Sequence, residues 1–269
     1  MPSRPPSLLY GTAWKEDDTE RCVRDALEAG FRGIDTANQR KHYFAAGVGR
    51  ALAASNLARD ELFIQTKFTF VDGQDHRLPF DPGAPIATQV AQSFASSLEH
   101  LGVTYLDSLV LHGPSQARGL GPDDHEAWRA MEALVERDGV RALGASNVTA
   151  QQVADLVAFA RIRPVFVQNR CYARTGWDQH ARHVCAQHGI VYQGFSLLTA
   201  NRQVLAHPGV VAIAKRNRKT PAQIVFRFAQ QIGMLPLTGT TDPAHMRQDL
   251  AIEDITLDGD ELALIERAG

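Results

Sequence analysis

The sequence has no apolar run approaching the roughly 20 residues of a membrane-spanning helix. Its first ten residues, MPSRPPSLLY, contain no apolar signal core. Charge of either sign is not in excess, because the formal net charge is only −2. That balance indicates no bias toward binding polyanions. We therefore expect a cytoplasmic protein that has neither a nucleic acid nor a membrane as partner.

Cysteine is scarce as well. Cys22, Cys171 and Cys185 are the three cysteines in 269 residues, and their spacing fits neither a CxxC motif nor a metal site. This pattern predicts reduced thiols and no bound metal. The overall composition is typical of globular proteins, since 44% of the residues are hydrophobic and 22% are charged. A chain of this length and composition can bury a sizeable core.

Short β-rich apolar segments alternate with helix-length stretches whose apolar residues lie three and four positions apart. The predicted strands are 7–11, 32–35, 62–67, 107–112, 141–146, 165–169, 190–195 and 234–239. Helices are predicted at 19–30, 123–139, 149–160 and 220–233, among eight in strict alternation with the strands. Such alternation predicts parallel strands joined by helical crossovers. No GxGxxG motif follows the first strand, which weighs against an open dinucleotide-binding sheet. We therefore predict an α/β fold, a (β/α)8 TIM barrel forming one domain over residues 1–269.

Ionisable residues stand where three successive predicted strands end. Asp35 closes the second strand, Lys67 the third and His112 the fourth. Active sites of such barrels lie at the carboxyl ends of the strands. The three side chains should therefore converge on one mouth. The next two strands bring further polar residues to the same end: Ser146, Asn147, Gln168 and Asn169.

Six segments, in order, resemble motifs of the aldo-keto reductases. They are GFRGIDTA, IQTK, DSLVLHGP, ALGASN, AQHGIVYQGFSLL and PLTGTTDPAHMRQDL. The fold of that family is the barrel that the alternation predicts. The resemblance implies an oxidoreductase that reduces a small-molecule aldehyde or ketone with a nicotinamide dinucleotide.

The resemblance also implies four catalytic residues. Reduction of a carbonyl needs a hydride on carbon and a proton on oxygen, and a phenol can donate that proton. Its ordinary pKa of about 10 falls when an ammonium lies nearby. Tyr43 would be the general acid, Lys67 its tuner, Asp35 the partner that holds Lys67, and His112 the group that orients the carbonyl.

The proton donor departs from the family pattern. The family usually has its tyrosine about five residues after the aspartate, and this chain has Arg40 there. Tyr43 is the only tyrosine in the segment and directly precedes the next helix, so we assign the role to Tyr43. His42 stays open as the alternative donor.

Cofactor contacts follow from the same resemblance. The nicotinamide carboxamide is expected on Ser146, Asn147 and Gln168, the ring on Phe195, and the pyrophosphate beside Ser196 and Leu197. The adenosine end is expected on Gly239, Thr240, Thr241, His245, Gln248 and Asp249.

Relatives that prefer NADPH usually carry Lys and Arg at the positions of Gly239 and His245. Arg247 lies close by but two positions later. We expect NADP(H), because the family mostly uses it, with NAD(H) as the alternative.

The substrate pocket is expected to include Trp14, Phe68 and Tyr172, with residues 70–85 overhanging the mouth. A monomer or weak homo-oligomer is expected. Two other functions remain open. One is a catalytically weak barrel that binds the cofactor and senses redox state. The other is a metal- or phosphate-dependent lyase or isomerase, against which the lack of a clustered His/carboxylate set argues.

Overall fold

The computed structural model describes residues 6–269 and contains a closed barrel of eight parallel strands. Each strand pairs with the next in chain order, and the last pairs with the first. The strands are β1 (Leu9–Gly11), β2 (Gly33–Asp35), β3 (Phe63–Phe68), β4 (Ser108–Leu111), β5 (Leu143–Ser146), β6 (Phe166–Arg170), β7 (Val191–Phe195) and β8 (Met234–Thr238). The predicted (β/α)8 barrel is confirmed, and all eight predicted strands are present with small shifts at their ends.

Helices follow the strands but not in strict one-to-one alternation. They are α1 (Thr19–Ala29), α2 (Ala45–Ala54), α3 (Ile86–Leu101), α4 (Pro122–Glu136), α5 (Ala150–Phe159), α6 (Gln179–Gln187), α7 (Arg202–Ala206), α8 (Pro208–Asn217), α9 (Pro221–Gln231), α10 (Pro243–Leu250) and α11 (Gly259–Arg267). The expected count of eight is therefore wrong for the described residues, since α7, α8 and α9 all lie between β7 and β8. None of the helices in residues 6–269 is long and apolar enough to cross a bilayer.

Helix ends follow the local sequence chemistry. The side chain of Thr149 accepts a hydrogen bond from the Gln152 N–H before α5, and Thr220 does the same for Gln223 before α9. Helix α1 ends at Gly30, whose φ of 115° favours a residue without Cβ. These helix ends determine where the chain turns toward the next strand.

Side chains inside the barrel form layers, because successive residues of a strand point to opposite faces. An apolar cluster fills the interior toward the amino-terminal ends with Leu9, Phe63, Ala142 and Phe166, and it continues along β8 with Leu235 and Leu237. Two residues further along β3, β6 and β7 come three buried glutamines: Gln65, Gln168 and Gln193. Another two residues along the same strands bring Lys67, Arg170 and Phe195 to the carboxyl end. An apolar floor thus supports a polar layer directly under the mouth.

Candidate active site

A cavity of about 750 Å³ opens at the carboxyl ends of the strands. Most of the residues expected in the site line it: Trp14, Asp35, Tyr43, His112, Ser146, Asn147, Gln168, Phe195, Ser196, Leu197, Gly239, Thr240, His245, Gln248 and Asp249. A second cavity of about 450 Å³ lies between the loops after β3 and β4. It shares Gln39, His112 and Asn147 with the first. The structure therefore brings three of the four expected catalytic residues, Asp35, Tyr43 and His112, into one cavity with most of the expected cofactor contacts.

Lys67 and Asp35 form a buried ion pair at the inner end of this cavity. Lys67 Nζ lies 2.6 Å from Asp35 Oδ2, and it also donates to the carbonyl of Thr36 at 2.9 Å. Lys67 is 1% exposed and Asp35 is 3% exposed. Burial lowers the pKa of Lys67, and the Asp35 carboxylate partly offsets that effect. The expected pairing of these two residues is present.

Tyr43 lies beside this pair, but not as expected for a tuned phenol. Lys67 Nζ is 5.3 Å from the centroid of the Tyr43 ring, so the ammonium faces the ring. Burial, and then the negative charge of Asp35, raise the pKa of Tyr43 well above its usual range. The net shift is thus opposite in direction to the one expected from Lys67, because Asp35 compensates the charge of Lys67 and desolvation of the phenolate dominates. The tuning of Tyr43 by Lys67 stays a prediction.

His112 completes the group. Its ring meets that of Tyr43 edge-on at a centroid distance of 5.9 Å. Burial first, and the charge of Lys67 second, lower the pKa of His112 to about 3, so the imidazole is neutral near pH 7. The Nδ1 atom lies 2.6 Å from Thr69 Oγ1, a contact that fixes the plane of the ring. Nothing in the sequence marked Thr69 for this position.

His42 and Trp14 form one lip of the cavity. Their rings stack at a centroid distance of 3.6 Å, and Trp14 is 71% exposed. Burial, and then the charge of Lys41, lower the pKa of His42. Arg40, at the family's usual tyrosine position, does not line this cavity, whereas Tyr43 does. Tyr43 and His42 both line it, so the choice of Tyr43 as donor stays a prediction.

A glutamine network beneath the site was not predicted. Gln65 Nε2 and Gln168 Nε2 donate to Asp35 Oδ1 at 2.7 and 3.0 Å. The same two nitrogens donate to Gln193 Oε1 at 2.8 and 2.9 Å. The nitrogen of Gln168 is thereby committed, whereas its side-chain oxygen accepts no hydrogen bond from the described residues. The sequence signal that could have indicated this network was a glutamine at an inward-facing position of each of the strands β3, β6 and β7.

Ser146, Asn147 and Ser196 have constrained geometry at the cavity wall. Ser146 Oγ donates to the carbonyl of Gln168 at 2.6 Å, and Asn147 Nδ2 donates to the carbonyl of His112 at 2.7 Å. Asn147 and Ser196 have φ values of 56° and 58°, a left-handed conformation that costs free energy in residues other than glycine. Such strain is concentrated at ligand sites in folded proteins.

The expected adenosine end holds one unanticipated cation. Lys15 is 7% exposed, and its Nζ donates to the carbonyl of Gly239 at 2.8 Å. Burial lowers the pKa of Lys15. Its position in the GTAWK segment, just after β1, was the signal that could have identified it. Asp249 lines the cavity nearby, and burial raises its pKa to about 6. Thr241 is exposed and does not line the cavity.

Two expected substrate residues lie elsewhere. Phe68 is 1% exposed and packs edge-on against Phe70 at 5.3 Å, in the core between barrel and helices. Because Lys67 points into the barrel, its neighbour Phe68 must point outward. Tyr172 does not line either cavity; the guanidinium groups of Arg170 and Arg174 both lie over its ring, with Cζ at 5.3 and 5.0 Å from the centroid. Residues 70–73 from the predicted overhanging segment do line the second cavity.

Comparison with known proteins identifies the family. Residues 8–269 match the family described as the Aldo/keto reductase family. An aldo-keto reductase of Mycolicibacterium vanbaalenii is 32% identical over 250 residues, which is 93% of this chain and 82% of that protein. One of Mycobacterium marinum is 32% identical over 256 residues, which is 94% of this chain and 83% of that protein.

Solved structures agree with the sequence relatives. An aldo-keto reductase from a Medee basin deep-sea metagenome library superposes with a TM-score of 0.85 at 26% identity, covering 98% of this chain and 91% of that one. An aldo/keto reductase from Brucella melitensis gives a TM-score of 0.83 at 27% identity, covering 98% and 95%. The chain therefore belongs to the aldo/keto reductase family, a family of oxidoreductases that act on small carbonyl compounds and generally use NAD(P)H.

Proposed function

We propose that this protein reduces an aldehyde or ketone to the alcohol with NADPH, and that NADH can replace it with modest loss of affinity. The observation that supports this most is the meeting of Tyr43, Lys67, Asp35 and His112 at the inner end of one cavity. These groups reach it from the ends of β2, β3 and β4 and from the loop that follows β2.

The residues around the cavity fit a nicotinamide dinucleotide. Gln168, whose nitrogen is committed to Asp35 and Gln193, presents an oxygen that can accept from the NH2 of a carboxamide. Phe195 offers a ring for stacking, and Thr240 and His245 offer polar groups at the opposite end. When bound, the reduced cofactor supplies the hydride.

Proton delivery falls to the protein. A raised pKa keeps Tyr43 protonated at neutral pH, so its hydroxyl is ready to donate to the carbonyl oxygen. His112 is neutral and its Nδ1 lies 2.6 Å from Thr69 Oγ1. In the tautomer in which Thr69 donates to Nδ1, Nε2 carries the proton and can hydrogen-bond the same oxygen. Lys67, compensated by Asp35, stabilises the phenolate that remains. General acid catalysis of this kind contributes roughly 10²–10⁴-fold.

Cofactor preference should be weak. Gly239 and His245 occupy the positions where NADPH-preferring relatives usually carry Lys and Arg. Asp249, in the same part of the cavity, is an anion above about pH 6. Lys15, whose Nζ donates to the carbonyl of Gly239, supplies a positive charge that partly replaces these missing cations. We infer a preference for NADPH of about 10–100-fold in affinity.

The site suits a small-molecule carbonyl compound that approaches past Trp14 and Gln39, with the second cavity as room for its substituent. We further propose that residues 1–269 act as one cytoplasmic domain, as a monomer or weak homo-oligomer.

A catalytically weak, redox-sensing barrel is the second candidate. The observation that favours it is the position of Lys67 Nζ, 5.3 Å from the centroid of the Tyr43 ring and without a hydrogen bond to the hydroxyl, beside a phenol whose pKa burial and then Asp35 raise. Such a protein would bind the cofactor tightly yet turn over slowly.

Both candidates are tested by following NADPH oxidation with 4-nitrobenzaldehyde while measuring NADPH affinity by calorimetry. Turnover on the order of 1 s⁻¹ or faster supports the reductase. Tight NADPH binding with turnover several hundred-fold slower, across a panel of aldehydes, transfers the assignment to the sensor. Absence of NADPH and NADH binding would contradict both.

A further inference from the structure

Arg170 is the only lysine or arginine among the described residues that line the 750 Å³ cavity. Its Cζ lies 5.3 Å from the centroid of the Tyr172 ring. Its guanidinium forms no ion pair or hydrogen bond with the described residues, so all its donors are available to a ligand. Arg174 packs on the same ring, with Cζ at 5.0 Å, but it does not line the cavity.

The register of β6 defines where Arg170 stands. It follows Gln168 by two residues, so the two side chains share the inner face, with Arg170 roughly 7 Å nearer the mouth. Its Cα pairs with that of Phe195 on β7. Arg170 therefore lies directly outside the carboxamide and ring contacts that we propose for the nicotinamide.

We propose that Arg170 binds the cofactor's pyrophosphate, at the phosphate nearer the nicotinamide. This rests on the proposed cofactor site. When Gln168 and Phe195 hold the nicotinamide, its ribose and the phosphate attached to that ribose must extend outward past Arg170. A guanidinium recognises phosphate oxygens through paired hydrogen bonds, and this wall of the cavity has no other lysine or arginine among the described residues.

Two other anions are less compatible with this position. The 2′-phosphate belongs at Gly239 and His245, just after β8 and on α10, and β7 separates β8 from β6. A substrate carboxylate would lie near Tyr43 and His112. Tyr43 is in the loop after β2, across the barrel mouth from β6, and His112 follows β4, which β5 separates from β6. The phosphate beside the nicotinamide is the anion that β6 can reach.

The test measures dissociation constants of NADPH, NADH and 2′,5′-ADP by calorimetry for the wild type, Arg170→Gln, Arg170→Lys and Arg174→Gln. The probe 2′,5′-ADP carries the adenosine-side phosphates but lacks the one beside the nicotinamide. We expect Arg170→Gln to weaken NADPH and NADH equally, by about 10-fold, because one charge-assisted contact is lost at a half-open site. Binding of 2′,5′-ADP should not change. Arg170→Lys should recover part of the loss, and Arg174→Gln should match the wild type.

Several results would overturn the inference. Unchanged NADPH and NADH constants in Arg170→Gln would show that Arg170 binds no phosphate. A selective loss of NADPH and 2′,5′-ADP would assign Arg170 to the adenosine side. Unchanged constants with a raised KM for 4-carboxybenzaldehyde but not for 4-nitrobenzaldehyde would assign it to the substrate. A wild type that binds none of the three ligands would overturn the proposed function itself, and this inference with it.

Discussion

Lys67 presents its ammonium to the ring of Tyr43, at 5.3 Å from the centroid, while its hydrogen bonds go to Asp35 and to the carbonyl of Thr36. The cation therefore stabilises the aromatic ring through its π face and holds it over the ion pair. No hydrogen bond joins Nζ to the Tyr43 hydroxyl in the described part of the chain. The ion pair thus helps to fix where the phenol lies.

Tyr43→Phe removes the proposed donor and keeps the ring over Lys67. We expect kcat to fall by about 10²-fold or more, with the dissociation constant of NADPH unchanged. Stopped-flow turnover and calorimetry measure the two quantities. Tyr172→Phe, a tyrosine outside both cavities, is the matched control and should behave as wild type. A near-normal kcat in Tyr43→Phe beside an inactive His42→Ala would move the role to His42.

Lys67→Met should lower both stability and turnover, because it leaves the Asp35 carboxylate buried without its cation. Breaking a buried pair typically costs about 3–5 kcal/mol. Here the lower end is expected, since Gln65 and Gln168 still donate to Asp35. The double variant Lys67→Met/Asp35→Asn should lose less free energy of unfolding than the sum of the single variants. Urea titrations measure this, and strict additivity would show that the two residues do not act as a unit.

Asp249 and His112 should give opposite pH dependences of stability. Burial lowers the pKa of His112 from 6.5 to about 3. Its stabilisation is full above pH 6.5 and is lost as pH falls toward 3. Burial raises the pKa of Asp249 from 3.8 to about 6, so its stabilisation is full below pH 3.8 and is lost as pH rises through 6.

Between about pH 4 and 6 the two slopes oppose each other, so Asp249→Asn should expose the slope of His112. The free energy of unfolding of this variant should rise with pH more steeply than that of the wild type, by up to about 1.4 kcal/mol per pH unit. Urea titrations at four pH values measure this, with the exposed Asp17→Asn as control. Parallel profiles for wild type and Asp249→Asn would contradict the prediction.

Gly239→Lys should strengthen NADPH binding by about 10-fold and leave NADH binding almost unchanged. A Cβ at this position would meet Gly11 O at 3.6 Å and Lys15 Nζ at 3.7 Å, which are ordinary contacts. Thr241→Lys adds the same charge outside the cavity and is the control. Equal gains for both cofactors, or for both variants, would mean that the added charge acts through the overall electrostatic potential of the protein and not through a contact with the 2′-phosphate.

The strands were predictable because their apolar alternation and turn residues are local properties of the sequence. The extra helices between β7 and β8 were not, because a five-residue helix such as α7 contributes little periodic signal. Phe68 was assigned to the wrong face although the rule was available: an inward Lys67 requires an outward Phe68. Tyr172 lies beyond the end of β6, so the alternation of side chains along a strand does not determine where its side chain points.

The site was predictable wherever a strand end fixes a residue's position. Asp35, Lys67 and His112 meet because consecutive parallel strands end side by side. The contacts of Gln65 with Gln193 cross the barrel interior, and no local pattern indicates which pairs of strands will face one another at that level. Likewise, the sequence indicated a charge effect between Lys67 and Tyr43, but the balance between charge and burial depends on coordinates.

Leu9, Phe63 and Phe166 fill the barrel interior below the glutamines with apolar side chains. The two cavities that hold Asp35, Tyr43 and His112 between them lie at the other end, where the strands finish. Under the proposed function, Tyr43 gives up a proton in each cycle and has to regain one. Substrate and the replacement proton would then reach Tyr43 through the same opening, so that proton uptake and substrate exchange share one route.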